Sequence, residues 1–144
     1  MSSRAAAILL HDHREEIDDL PPIIRCRLSC RAAENLLLSD DVLRSLGTTW
    51  EEVKSGIERW LIINKGHIHF DILNAFREKD FPRKSFDLKM IRNDLMAIIA
   101  SNKPWEVAVG QAIGNLDLTS LEEGSDSLAS YLGQKLITNI LGNV

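Results

Sequence analysis

Residues 39–60 read SDDVLRSLGTTWEEVKSGIERW, and their punctuation governs how the rest of the chain is read. Ser39 precedes Asp40 and Asp41, the order of an N-cap followed by carboxylates that suit the positive end of a helix. Gly47 then offers a left-handed stop. Thr48 and Thr49 reopen the chain as a helix, because Thr49–Glu52 and Thr48–Glu51 both have capping-box spacing. Trp50, Val53, Ile57 and Trp60 follow at steps of three and four, which is one face of a helix. This second helix is expected to close at Gly66.

Upstream, Pro21 and Pro22 divide two stretches with helical spacing. One runs from Ser3 to Leu20, with Ala6, Leu10, Ile17 and Leu20 on a stripe. The other runs from the prolines to Leu38, with Ile24, Leu28, Ala32 and Leu36 recurring. Downstream, residues 61–73 satisfy two patterns. Ile68, Phe70 and Ile72 alternate as in a β-hairpin, whereas Ile68, Ile72, Leu73 and Phe76 fit a helix that NAFREK continues. The close of the preceding helix at Gly66 favours the helix.

Pro82 breaks the chain, and Ser85 is expected to cap a helix through Leu88, Ile91, Leu95 and Ile98. Pro104 opens another through Trp105, Ala108, Ala112 and Leu116. Its Gly110 and Gly114 would admit a close-packed neighbour. A loop over residues 117–127 leads to a last helix from Asp126 to Leu141. The fold expected is all-α: an irregular helical bundle of six to eight helices in a single domain over residues 1–144, with a short β-hairpin near 61–73 as the local alternative.

Composition agrees with a packed core, since 44% of the 144 residues are hydrophobic and 26% charged. A net charge of −4 disfavours a general nucleic-acid or anionic-membrane binder. Arg25, Arg27 and Arg31 concentrate positive charge locally. Cys26 and Cys30, four apart, are expected on one helix face as reduced core thiols; neither C-x-x-C nor a four-ligand zinc spacing occurs. The apolar run Ala5–Leu10 is too short for a signal-peptide core, and no run approaches the roughly 20 apolar residues of a membrane span. A cytoplasmic location without membrane association is therefore expected.

Three features could carry function. Residues 39–60 resemble the general helix-turn-helix pattern, with Leu43 four residues before Gly47 and Val53 six after it. On that reading Arg44, Thr48, Thr49, Lys54 and Arg59 would face DNA. Glu51 and Glu52 at the start of the recognition helix oppose it, and the apolar position near its end falls on Gly56. The histidines form two H-x-H pairs, His11/His13 and His67/His69. Brought together, with Asp12, Glu15 or Asp71 nearby, they would suit zinc, iron or nickel. The amphipathic stripes could pair helices between chains, making a homodimer, although ordinary core packing inside one domain is the stronger reading of them.

Nucleotide-loop, nucleophile-elbow and H-E-x-x-H motifs are absent from the sequence. No catalytic residue and no organic cofactor is therefore expected. The leading expectation is a non-enzymatic helical module that binds another protein. A helix-turn-helix regulator and a histidine metal site are the alternatives.

Overall fold

The computed structural model describes residues 8–11, 24–117 and 124–140. Two short strands, β1 (Ile8–His11) and β2 (Ile24–Arg27), pair in parallel with Ile8 opposite Ile24 and His11 opposite Arg27. A 3-10 helix (Ala33–Leu38) follows. Then come α1 (Asp40–Ser45), α2 (Trp50–Ile63), α3 (Phe70–Glu78), α4 (Arg92–Ile99), α5 (Trp105–Gly114), α6 (Leu128–Leu132) and α7 (Gln134–Ile140). The chain is thus an all-α bundle in character, with eight helices among the described residues, and the strand pair is the departure from it.

The two expected N-terminal helices are corrected by that pair. Residues 8–11 and 24–27 are extended, and the remainder of 3–20 lies outside the described residues. The sequence Ile-Arg-Cys-Arg alternates with the two-residue period of a strand, and a paired neighbour satisfies its backbone groups as a helix would. Cys26 and Cys30 therefore do not share a helix face. Cys30 lies beyond β2 as a buried thiol that donates to the Ala32 carbonyl at 3.3 Å.

The decisive stretch folds largely as its caps dictate. Thr49 accepts from the Glu52 N–H at 3.2 Å and starts α2, while Gly47 takes φ +80° in the turn before it. Val53, Ile57 and Leu61 are buried, and Trp50 and Trp60 lie against the same core. Helix α2 stops at Ile63 rather than Gly66, because Asn64 donates both its backbone N–H and Nδ2 to the Trp60 carbonyl at 2.9 Å. The chain then turns, with His67 N donating to Asn64 O and Phe70 N to His67 O, and enters α3. The alternation near 61–73 is therefore a helix end and a turn, and no hairpin forms there.

Packing settles the other boundaries. Helix α2 lies on α4 and α3, and α1 lies on α5, α6 and the 3-10 helix. The close approach expected at Gly110 and Gly114 occurs instead at Gly56, where a Cβ would stand 2.7 Å from Ile98 Cγ2; both α5 glycines face open space. Ser85 caps nothing, since α4 begins at Arg92 with Leu88 and Ile91 already buried before it. The expected last helix is split by Gly133, whose φ of +88° and contact with the Ser29 side chain exclude a larger residue.

Arg83 locks these segments together. Its side chain is 10% exposed; it donates to Leu38 O (3.1 Å) and Asp40 Oδ1 (2.8 Å), pairs with Asp126 Oδ2 (2.8 Å), and stacks over Trp50 at 4.4 Å. Asp126 also accepts from the buried Tyr131 hydroxyl at 2.6 Å. Asn35, fully buried, holds the same loop by donating to Arg83 O (2.7 Å) and Phe86 O (2.9 Å). Among the described residues, no helix is long and apolar enough to cross a membrane.

Two outcomes follow from this lock. Arg83→Met strands two carboxylates, and because both keep some water contact the expected loss is about 2–3 kcal/mol, read from the urea midpoint. Burial first, and the bond to Asp126 second, push the Tyr131 phenol well above its ordinary range. The folded chain therefore keeps that proton above about pH 10, where the unfolded chain loses it. This contribution to stability is complete below about pH 10 and declines as pH rises further. In an alkaline titration, tyrosinate absorbance from the chain's one tyrosine should appear together with loss of helical circular dichroism.

Candidate metal centre

The turn between α2 and α3 gathers the second histidine pair. In a helix, residues i and i+2 point roughly 200° apart. Residues 64–69 form a turn, and there the His69 backbone N–H donates to Nδ1 of His67 at 2.9 Å. With that bond made, the Nε2 edge of His67 faces Asp94 and the two ring centroids stand 5.3 Å apart. Trp60, in the last turn of α2, meets the His67 ring edge-on at 5.0 Å and walls one side of the pair.

A third group arrives from α4. Ile91 and Leu95 are fully buried and set the rotation of that helix. Asp94, between them in the first turn, then points to the histidines. Its Oδ2 lies 2.6 Å from His69 Nδ1, and its Oδ1 lies 3.9 Å from His67 Nε2. The side chains of His67, His69 and Asp94 are 35%, 24% and 18% exposed, so the cluster sits at the surface with its donor atoms partly shielded from water.

One ligand atom from each residue lies within 4.8 Å of the others. Zinc takes histidine nitrogen and carboxylate oxygen at about 2.0–2.2 Å, so tetrahedral ligands stand about 3.4 Å apart. Closing the cluster to that spacing would take rotation of these side chains. Two imidazoles and one carboxylate suit zinc, iron, cobalt or nickel and leave further coordination positions open. The bond from His69 N occupies the Nδ1 lone pair of His67, so the neutral ring carries its proton on Nε2, and ligation through either nitrogen would have to displace that bond. An ion held by these residues would take one ring lone pair from each histidine, so it would compete with the His69 N–H for His67 and with the hydrogen bond between His69 and Asp94.

Of the expected ligands, His67 and His69 come together. Asp71, in the first turn of α3, is exposed and is not a member of the cluster. His11 ends β1, and His13, Asp12 and Glu15 lie outside the described residues. Asp94 escaped the sequence reading. It stands twenty-five residues from His69, and nothing in the local pattern distinguishes it from a solvated helix carboxylate.

The residues singled out for DNA lie elsewhere. Arg44 is exposed at the end of α1, Thr49 spends its hydroxyl on the α2 cap, and Thr48 precedes it in the turn. Lys54 pairs with Glu51 at 3.1 Å, and Arg59 shares a shallow surface depression with Glu51 and Glu52. Beside the histidine turn, Ile62, Ile63 and Ile68 are 70%, 78% and 85% exposed. Only Leu61 of the Leu-Ile-Ile run falls on the core face set by Ile57, so its two neighbours are rotated outward.

Set against known proteins, the chain matches no family model, no curated protein and no solved structure.

The contact between His69 and Asp94 fastens the turn to α4. Because both groups remain partly hydrated, Asp94→Ala is expected to cost about 1 kcal/mol, measured by urea denaturation in the presence of a chelator.

Proposed function

We propose that the chain is a metal-binding helical module that holds a divalent transition-metal ion, zinc first, on His67, His69 and Asp94. The observation that carries this reading is the convergence of two imidazoles and a carboxylate from separate elements within 4.8 Å. An ion there would bridge the α2–α3 turn to α4 and leave at least one position for water or an incoming ligand.

A second reading, a non-enzymatic module that docks on another protein, draws on Ile62, Ile63 and Ile68, three large apolar side chains exposed beside the same turn. The helix-turn-helix reading draws less support. The cations assigned to it stand among carboxylates, and a DNA-facing helix needs them unopposed.

Cobalt titration tests the metal reading directly. The chain should bind one Co²⁺ with visible d–d absorption that zinc displaces. Zinc at a hundred times its dissociation constant should stabilise the fold by about 2.7 kcal/mol. His67→Ala and Asp94→Ala should each weaken binding about tenfold or more, or about 1.4 kcal/mol. Absence of the absorption band, or affinities indifferent to both substitutions, would overturn the reading.

A further inference from the structure

A second polar cluster, independent of the histidines, surrounds Lys84. A cavity of about 470 Å³ is walled by Ser29, Lys84, Ser125, Ser127 and Ser130, and Ala129 and Ile137 add an apolar flank. That volume falls within the range of about 300–1,000 Å³ typical of small-ligand sites. The polar groups come from three separate parts of the chain: the segment after β2, the loop before α4, and the α6 region.

Their positions are set by backbone contacts. Ser29 N donates to Tyr131 O at 3.0 Å, and the left-handed turn at Gly133 lies directly against the Ser29 side chain. Arg31 N donates to Lys84 O at 2.9 Å, which holds the lysine backbone beside the same wall.

The hydrogen-bond directions decide what the cluster can do. Lys84 Nζ donates to Ser130 Oγ at 2.9 Å, and the Ser130 hydroxyl donates onward to Ser125 O at 2.9 Å. The lysine thus serves as an ammonium donor. The serine proton points away from it, so the pair is not arranged as a nucleophile and its base. Arg31, Lys54, Arg77, Arg83 and Arg92 each meet a carboxylate, whereas Lys84 has none within ion-pair distance among the described residues. Its other neighbour is the Tyr131 ring at 5.5 Å.

Two hydroxyl donors are also left over. Ser127, 1% exposed, accepts from Ser130 N at 3.1 Å, but its own proton has no acceptor among the described residues. The Ser29 hydroxyl has no hydrogen-bond partner among them either. The buried Ser127 donor without an acceptor is costly and an entering oxyanion relieves that cost, whereas the exposed Ser29 hydroxyl would only exchange water for it.

We propose that this cavity binds a phosphate group, whose oxygens accept from Lys84 Nζ and from the Ser29 and Ser127 hydroxyls. A tetrahedral anion suits donors that converge from three directions, and charge-assisted bonds to it are the strong kind. The cavity exceeds what the phosphate alone fills, and the flank at Ala129 and Ile137 receives the carbon skeleton of a small phosphomonoester.

Calorimetric titration with inorganic phosphate and with glycerol 3-phosphate tests this on the full chain. Binding of the ester, tighter than that of phosphate, is expected. Lys84→Met should weaken it about tenfold or more, with Lys84→Arg retaining part of the affinity. Equal affinity for the two compounds, still lost in Lys84→Met, supports a phosphate site whose ligand is the free anion. Ser29→Ala, at an exposed position, should weaken binding about threefold, and it keeps the test open if Lys84→Met fails to fold. Failure of both compounds to bind at millimolar concentration, or binding unaffected by the Lys84 and Ser29 substitutions, overturns the proposal.

Discussion

The guanidinium of Arg83 is where the separate parts of this fold meet. It reaches Leu38 at the end of the 3-10 helix, Asp40 at the start of α1, Asp126 ahead of α6, and the face of Trp50 on α2. A cation this deeply placed is tolerable only with its charge and its donors matched, and both carboxylates and the carbonyl do so. Asp126 extends the network to Tyr131, the largest fully buried side chain. Asp41 contributes separately by accepting from Leu128 N at 2.7 Å, which ties α1 to the first residue of α6.

The same network positions the candidate metal centre. Arg83 and Asn35 anchor the loop between α3 and α4, and the loop delivers Leu88 and Ile91 to the core. Glu34, nearly buried, takes Arg92 at 2.8 Å and holds the first residue of α4. With that helix start fixed, Asp94 has little choice of direction, and the close contact of Gly56 with Ile98 sets how near α4 lies to α2. The histidine turn follows directly from the end of α2. The distance between His69 and Asp94 is therefore a consequence of how α2 and α4 pack.

Locally the cluster is weak and depends on its frame. A His–Asp contact between partly hydrated groups contributes little to stability by itself. Its value lies in arrangement, since three donors held near one another lose less freedom when an ion binds than three unattached side chains would. The exposed isoleucines beside it have the opposite character, being apolar surface that the bundle leaves uncovered.

Much of this was legible in the sequence. The helical character, the Thr49 cap, the buried stripe of Val53 and Ile57, and the turn at Gly47 all depend on neighbours within a few residues, where capping and periodicity operate. The H-x-H pair at 67 and 69 was visible as a candidate, but the carboxylate that joins it was not. Asp94, the closing of α2 at Asn64, the pairing of β1 with β2, the glycine at which helices touch and the break at Gly133 were decided by tertiary structure alone. Each is a contact between distant segments or a competition between a local preference and a packed neighbour. Asp40 shows the difference plainly: its position suits a helix N-terminus, yet its carboxylate is taken by Arg83, because a buried guanidinium must be matched while an exposed helix end can be satisfied by water.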